Sequence, residues 1–297
     1  MKIGMFFFIN LSVFKINRYM KKYVVLFAFL LLTSFVFAQK KDKIKGSKIV
    51  TLEQKQIESF TGIEVNDNIE VMLIKGSECG IEIEADDNLH DVLDFSLNGS
   101  TLRIATLKDI ISSKKLSVRI TYTSDFKLVV AKNESQVTSL SDIEIDAISI
   151  RSYDYASLYL NAKTTNFNLE CYDKSKVELK LKSEKVTINL SKNAALKASI
   201  TAADMIFDMY QKSEATLDGE VANLKLRLDN NATFVGKNLT LLNGNITTEG
   251  YTNATINVTT NAIIDAAGKS EIQLYGEPKI EIKRFADSAV LMKKLVK

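Results

Sequence analysis

A short pattern, a small residue followed two positions later by an apolar one, recurs about every 19 residues in the second half of the chain. The small residues of the eight copies are Ser135, Ala156, Ser175, Ala194, Ala215, Ala232, Ala254 and Ser270. Their apolar partners are Val137, Leu158, Val177, Leu196, Leu217, Phe234, Ile256 and Ile272. A repeat of this length indicates a unit that cannot bury its apolar face alone and must stack on its neighbours.

The repeats contain strands and no helical periodicity. Each carries a second alternating segment about ten residues after the small residue, such as FNLEC at 167–171 and LKLRL at 224–228. We therefore predict an all-β, right-handed parallel β-helix (β-solenoid) with about eight C-terminal coils and a β-rich N-terminal part, the handedness following from parallel crossovers. The alternative, an antiparallel sandwich, expects turns every 8–12 residues but no ladder at double that spacing.

The small residue is expected at a tight turn between sheets, where it lets the backbone bend without a clash. Asn before it tolerates the left-handed backbone conformation that such bends often need, which explains why NAT recurs at 231–233 and 253–255. Before the repeats, residues 49–130 alternate with period two. FSLNGSTLRI at 95–104 predicts a hairpin about Asn98 and Gly99 with a type I′ turn.

The net charge of +3 misrepresents the folded part of the chain. Five basic residues precede residue 23, and without them 34 basic residues face 36 acidic ones. A nucleic-acid-binding protein concentrates basic charge on one face, so we exclude that class of partner.

The N-terminal segment has the features of a signal peptide. From Met20, a basic start leads into an apolar run that closes on small residues at Val36 and Ala38. The alternative is a membrane anchor, for which the apolar run is short, so we expect no stable membrane span after cleavage. The predicted organisation is a signal peptide at 1–38 (with Met20 a possible true start), a mobile polar leader at 39–48, one β-helical domain at 49–284 and a tail at 285–297. An extracytoplasmic location follows.

The chain has two cysteines, Cys79 and Cys171. An exported protein could pair them. They fall in different regions, and Cys171 lies in an alternating strand pattern, so two free, partly buried thiols are the favoured interpretation.

The chain resembles the bacterial family of auto-transporter adhesin head, or GIN, domains. The likeness rests on FTGIEV at 60–65, on DDNLHDVLDFSLNGSTLRI at 86–104, and on the eight repeats, and it spans about 49–284. The family's Gly-Ser-Gly turns are mostly replaced here by sequences such as YAS and NAT. The resemblance implies a right-handed β-helix without a recognised catalytic set and with a role in cell adhesion.

Few residues indicate catalysis or a cofactor. The one histidine, His90, is expected to be solvated in a surface turn, and no cofactor motif is present. Asp154 and Asp173 would be neighbours on adjacent coils, and could serve a carbohydrate-active enzyme (a polysaccharide lyase or glycosidase) or a metal ion. Two arguments oppose these roles. Asp is common in turns for structural reasons, and two acidic residues supply too few ligands for a metal ion.

Four tyrosines form the stronger candidate site: Tyr153, Tyr155, Tyr159 and Tyr172. Exposed tyrosines suit sugar rings or partner proteins because they combine a flat apolar face with a hydroxyl. The sequence therefore favours a non-catalytic, extracytoplasmic module for cell adhesion or for binding a glycan or a cell-surface protein. The alternatives are the carbohydrate-active enzyme and a structural spacer.

Overall fold

The computed structural model describes residues 41–295, which form a β-solenoid of about nine turns of stacked parallel coils and confirm the predicted fold class. The predicted signal peptide at 1–38 lies outside the described residues. Within the described range, no helix is long and apolar enough to cross a membrane.

The N-terminal strands are β1 (Lys43–Lys45), β2 (Val50–Lys55), β3 (Gly62–Val65), β4 (Glu70–Lys75), β5 (Gly80–Asp86), β6 (Leu93–Asn98), β7 (Thr101–Thr106), β8 (Asp109–Ser112), β9 (Leu116–Tyr122), β10 (Leu128–Ala131), β11 (Gln136–Ser139) and β12 (Ile143–Glu144), with a 3₁₀ helix at Asp87–Val92. The C-terminal strands are β13 (Ala147–Ser152), β14 (Ser157–Cys171), β15 (Lys176–Leu190), β16 (Ala195–Met209), β17 (Glu214–Leu228), β18 (Thr233–Thr248), β19 (Asn253–Ala266), β20 (Glu271–Tyr275), β21 (Lys279–Phe285) and β22 (Val290–Lys293).

The core consists of inward rows that run along the solenoid axis, because parallel pairing puts equivalent residues of successive coils side by side. One such row contains, in spatial order, Leu102, Ile63, Val129, Ile150, Leu169, Ile188, Phe207, Leu226, Ile246, Ile264 and Ile282. Every member except the last is fully buried. Along β14 to β16, buried and exposed residues alternate, as a strand with one face in the core requires.

A tight turn before each long strand brings the chain from one sheet to the next. In most of these turns the backbone N–H of the small residue donates to the carbonyl three residues earlier, as from Ala156 to Tyr153 and from Ser175 to Tyr172. The residue two before the small one has a positive φ. These left-handed residues are Asn133, Asp154, Asp173, Lys192, Gln211, Asn230, Gly250, Gly268 and Asp287.

The predicted row of small residues is wrong at two positions. Ala215 pairs with Leu196 and Ala254 pairs with Phe234, so both belong to the next inward row. The corner positions are occupied by Ser213 and Thr252 instead, and the buried small row is Ser135, Ala156, Ser175, Ala194, Ser213, Ala232, Thr252 and Ser270. A shift of two residues keeps a side chain on the same face of a strand. All eight predicted apolar partners are therefore buried as expected, Leu217 and Ile256 included.

The N-terminal part does not stack in chain order. Strands β3 and β4 pair with β10 and β11 on one side and with the later strands β7 and β9 on the other, so the coil of β7 and β9 is the outer one. Antiparallel strands then cover it: β6 pairs with β7, and β5 joins β9 to β2. The predicted hairpin is present, but its two-residue loop is Gly99 and Ser100, one residue later than predicted, because Asn98 pairs with Thr101. Only Gly99 of this loop has a positive φ, which is the requirement of a type II′ rather than a type I′ turn.

Paired strands lie outside both predicted boundaries of the β-helical domain, and the N-terminal one belongs to a separate two-stranded sheet. The leader was expected to be mobile, but β1 pairs with β8, and the N–H of Gly46 donates to the carbonyl of Ser112 at 2.7 Å. At the other end, β22 pairs with β20 in register, so residues 290–293 of the predicted tail continue the repeat.

Two free thiols were expected, and this is confirmed. Cys79 is half-buried and Cys171 fully buried, and neither forms a disulfide. Burial raises the pKa of the Cys171 thiol well above its usual range, so it packs as a small apolar side chain.

Candidate ligand-binding surfaces

Tyr153 and Tyr172 lie at the same turn position of adjacent coils, directly before the left-handed residue. Parallel register therefore places one ring over the other, with centroids 5.3 Å apart and planes 9° from parallel. The pair is half-buried. Burial, followed by the nearby Glu170 carboxylate, raises the pKa of Tyr172, so this phenol stays neutral at ordinary pH.

Tyr155 lies on the other side of the left-handed residue and is 58% exposed. Lys174, its neighbour on the next coil, donates from Nζ to the Tyr155 hydroxyl at 3.0 Å and lies 4.9 Å from the ring centroid. The ring contact recurs further along the axis, where Lys269 lies 5.0 Å from the ring centroid of Tyr251. We call Tyr153, Tyr155 and Tyr172 the tyrosine corner.

Tyr159 is not part of this corner. It lies on β14, is 42% exposed, and lines a shallow depression of about 390 Å³ that also includes Glu178 and Lys197. Three of the four predicted tyrosines thus share a turn region, while the fourth lies among charged side chains on the adjoining strand.

Asp154 and Asp173 are adjacent, as predicted, but their carboxylates are engaged by the turns. Asp154 Oδ2 accepts the backbone N–H of Asn133 at 3.0 Å, and Asp173 Oδ2 accepts that of Asp154 at 3.4 Å. Lys192 donates from Nζ to Asp173 Oδ1, and this bond is the main cause that lowers the pKa of Asp173. Among the described residues, no group of three His, Cys, Asp or Glu side chains could hold a metal ion. The pair therefore stabilises the turns, as Asp does in many loops.

His90 was expected to be solvated, and this is wrong: its residue is 7% exposed, within the 3₁₀ helix. Its Nε2 shares a hydrogen bond of 2.8 Å with Thr51 Oγ1. The Glu53 carboxylate lies 3.1 Å from Nδ1, off the direction of a hydrogen bond. Glu53, His90 and Thr51 thus follow the acid, imidazole and hydroxyl sequence of a hydrolytic triad. However, Thr51 lies in the regular pairing of β2 with β5, whereas the nucleophile of such a triad is exposed on a sharp turn. The contacts attach β2 to the helix.

A further candidate surface is a groove that was not predicted from the sequence. It has a volume of about 620 Å³ and runs across the coils of β16 to β21. One side is a ladder of amides: Asn223 Nδ2 donates to Asp204 Oδ1 at 2.9 Å, Asn243 to Asn223 at 3.0 Å, and Asn261 to Asn243 at 2.8 Å. We call this row of side chains the amide ladder and the whole depression the amide groove. The signal that could have identified it is the recurrence of Asn at 223, 243 and 261, close to the length of the repeat.

Comparison with known proteins gives a consistent result. The model of the family described as "putative auto-transporter adhesin, head GIN domain" matches residues 59–191 and 174–278. No curated protein sequence matches the chain.

Several solved structures share the fold. A "putative adhesin" from Parabacteroides merdae is 16% identical, with a TM-score of 0.64 over 86% of this chain and 100% of that one. Another from Parabacteroides distasonis is 15% identical, with a TM-score of 0.62 over 84% of this chain and 100% of that one. A "putative lipid binding protein" from the same species is 13% identical, with a TM-score of 0.56 over 86% and 100%.

Proposed function

The chain belongs to the family of auto-transporter adhesin head GIN domains, and from this membership we propose that it is an extracytoplasmic, non-catalytic module that binds a ligand in adhesion at the bacterial envelope. Two of the solved structures that share its fold are each described as a "putative adhesin". The signal-peptide pattern at 1–38 supports export.

The state of the two candidate catalytic groups supports binding over catalysis. A glycosidase acid needs a raised pKa, whereas that of Asp173 is lowered, first by its bond from Lys192. The carboxylate of Asp154 accepts a hydrogen bond from the backbone N–H of Asn133. The carbohydrate-active-enzyme alternative would therefore have to break contacts that form the turns.

The observation that carries the proposal is the exposed ring of Tyr155 beside the stacked pair of Tyr153 and Tyr172. The ring of Tyr155 and the ammonium of Lys174 together offer an apolar face, a hydroxyl and a positive charge within one turn. Such a combination suits a sugar or a cell-surface protein. We propose the tyrosine corner as the contact surface, with Tyr159 at its margin.

The experiment is a binding screen of residues 39–297 against host-matrix proteins, glycans and phospholipid vesicles. The vesicles are included because one structural neighbour is described as lipid binding. Replacing both Tyr153 and Tyr172 with Ala should reduce binding at least tenfold while the circular dichroism spectrum is unchanged. Tyr251→Ala is a control for the loss of a surface tyrosine elsewhere, since Tyr251 follows a left-handed residue and has a lysine over its ring, as Tyr155 does, several coils away.

Replacing Asp154 and Asp173 with Asn should leave binding largely unchanged. Binding that survives the double tyrosine variant would refute the tyrosine corner as the contact. Cleavage of an acidic polysaccharide that requires the two aspartates would refute the non-catalytic proposal and support the enzyme.

A further inference from the structure

The amide ladder has unused hydrogen-bonding capacity that faces solvent. A side-chain amide has two N–H donors and an oxygen with two lone pairs. Within the ladder, Asn223 and Asn243 each use one donor and accept one bond. Each therefore retains an N–H and a lone pair, at intervals of one coil. A hydroxyl group both donates and accepts, so it can satisfy the two free groups together.

The rest of the groove favours a ligand that is uncharged and has an apolar face. Its charged side chains balance, with Asp204 and Glu281 against Lys225 and Lys279. Apolar surface comes from Ile206, which is exposed, and from Ile263, which is half-buried. A groove without net charge gives a charged ligand no net electrostatic attraction, whereas the C–H face of a sugar ring packs on aliphatic side chains.

The length and period of the groove fit a polymer. From the strand of Asp204 to that of Lys279 the ladder positions span four coil-to-coil steps. At a strand spacing of about 4.8 Å, these steps cover about 19 Å. A pyranose ring is about as long as one step, whereas an extended peptide advances about 3.3 Å per residue and falls out of phase with the ladder.

We propose that the amide groove binds an unbranched, neutral saccharide chain lying along the solenoid axis, with its hydroxyls on the amide ladder and its ring faces on the aliphatic side. This site is separate from the tyrosine corner. It gives the module a defined ligand class on a second surface.

The test uses residues 39–297 and neutral oligosaccharides of two to six units: cello-, xylo-, malto- and chito-oligosaccharides. Oligogalacturonate serves as the charged comparator and a neutral, unstructured peptide as the polypeptide comparator. Calorimetry measures affinity, and the ¹⁵N-edited side-chain signals of Asn223, Asn243 and Asn261 report the place of binding. We expect one neutral series to shift these signals, with affinity rising up to about four units, the number of coil steps.

Asn245→Trp should weaken this binding at least tenfold, because residue 245 lines the groove and is exposed, so that the indole fills the groove without entering the core. Thr187→Trp is the matched control, since Thr187 occupies the same row outside the groove. Asn243→Asp, which adds a charge and removes the donor to Asn223, should have an effect similar to that of Asn245→Trp. If Asn243→Asp alters the fold, the comparison of Asn245→Trp with Thr187→Trp alone tests whether the ligand binds in the groove.

The proposal is overturned if no neutral oligosaccharide shifts the three amides at millimolar concentration, or if Asn245→Trp and Thr187→Trp bind equally well. Tighter binding of the peptide or of oligogalacturonate would also overturn it. The Tyr153→Ala, Tyr172→Ala double variant should retain groove binding, so failure at the groove and failure at the tyrosine corner are separate results.

Discussion

The two ends of one core row have opposite environments. Leu102 begins the row and is fully buried, whereas Ile282 ends it and is 52% exposed. Both have the same inward orientation, and each has a neighbouring coil on one side only. The difference therefore comes from what covers the other side, since a solenoid coil buries its apolar residues only when something stacks on it.

At the N-terminal end the cover is a set of antiparallel strands. Strand β6 folds back on β7 so that Leu97 pairs with Leu102, and β5 and β2 continue from β9. Asp86 fastens this cap. Its buried carboxylate accepts backbone N–H bonds from Lys48, Lys114 and Lys115, all between 3.0 and 3.1 Å.

At the C-terminal end, no strand of the described residues pairs with the outer edge of β21. All seven of its residues are exposed, including Ile280, Ile282 and Phe285. Its sequence alternates these with Lys279, Glu281 and Lys283, and its pairing with β19 contains an irregularity after Ile282. Charged side chains and bulges both discourage edge-to-edge association. One end is thus covered and the other is protected by its own composition.

The largest expected effect separates the two ends directly. Leu102→Ala should lower the free energy of unfolding by roughly 2–5 kcal/mol, because it leaves a cavity in a closed core. Ile282→Ala should lower it by less than about 1 kcal/mol, since half of that side chain is already in water. Leu196→Ala, in the middle of the solenoid, should behave like Leu102→Ala. Urea unfolding followed by circular dichroism measures all three.

Equal losses for Leu102→Ala and Ile282→Ala would contradict the comparison. They would mean that the C-terminal end is covered in solution. Sedimentation of the unmodified protein at several concentrations would then show whether the cover is a second copy of the chain.

The second expected effect is the response of the capped end to acid. Burial alone would raise the pKa of the Asp86 carboxyl, but the N–H bonds from Lys114, Lys115 and Lys48 hold it below its usual value. The folded state therefore binds this proton less tightly than the unfolded state does. Its contribution to stability is full above the unfolded value of about 4 and is lost as pH falls further, through the lower folded pKa.

Melting temperatures between pH 7 and pH 2 measure this effect. Asp86→Asn should lower the melting temperature at neutral pH and flatten its decline below about pH 4, the ordinary range of an aspartate. Asp265→Asn is the matched change at the open end, where Asp265 holds Arg284 on the exposed surface. It should change the melting temperature little at any pH, because exposed ion pairs contribute little to stability. An undiminished acid response in Asp86→Asn would show that another group controls the cap.

The repeat could be predicted from the sequence, but its register only in part. Both Ser213 and Ala215 are small and followed two residues later by an apolar or small residue, and Thr252 and Ala254 repeat the ambiguity. The left-handed residue would resolve it, yet Lys192 and Gln211 do not have the side chains that favour this conformation. Pairing between coils fixes the register where the local pattern does not.

The swapped order of the first coils was beyond prediction for a different reason. The sequence shows that β3 and β7 are strands, but the edge on which each one pairs depends on contacts about 40 residues apart. The two candidate surfaces differ in the same way. The adjacency of Tyr153 and Tyr172 follows from one repeat length, whereas the amide groove needs side chains from several coils in register.

The smallest expected effect tests whether the ends can be treated separately from the middle. Gln211 has a φ of 51° and Lys212 a φ of 60°, in a turn where the next coil has Asn230 and Asn231 at 56° and 72°. Asn adopts the left-handed conformation at less cost than Gln, so Gln211→Asn should raise the free energy of unfolding by about 0.5 kcal/mol, a fraction of the 1–2 kcal/mol left-handed penalty. Gln211→Ala, which has no amide, should give no gain. Because distant sites add independently, the gain should appear equally in the Leu102→Ala and Ile282→Ala backgrounds. A gain in only one background would show that the middle coils are coupled to that end. The difference between the covered and the open end would then be a property of the whole solenoid and not of its two termini alone.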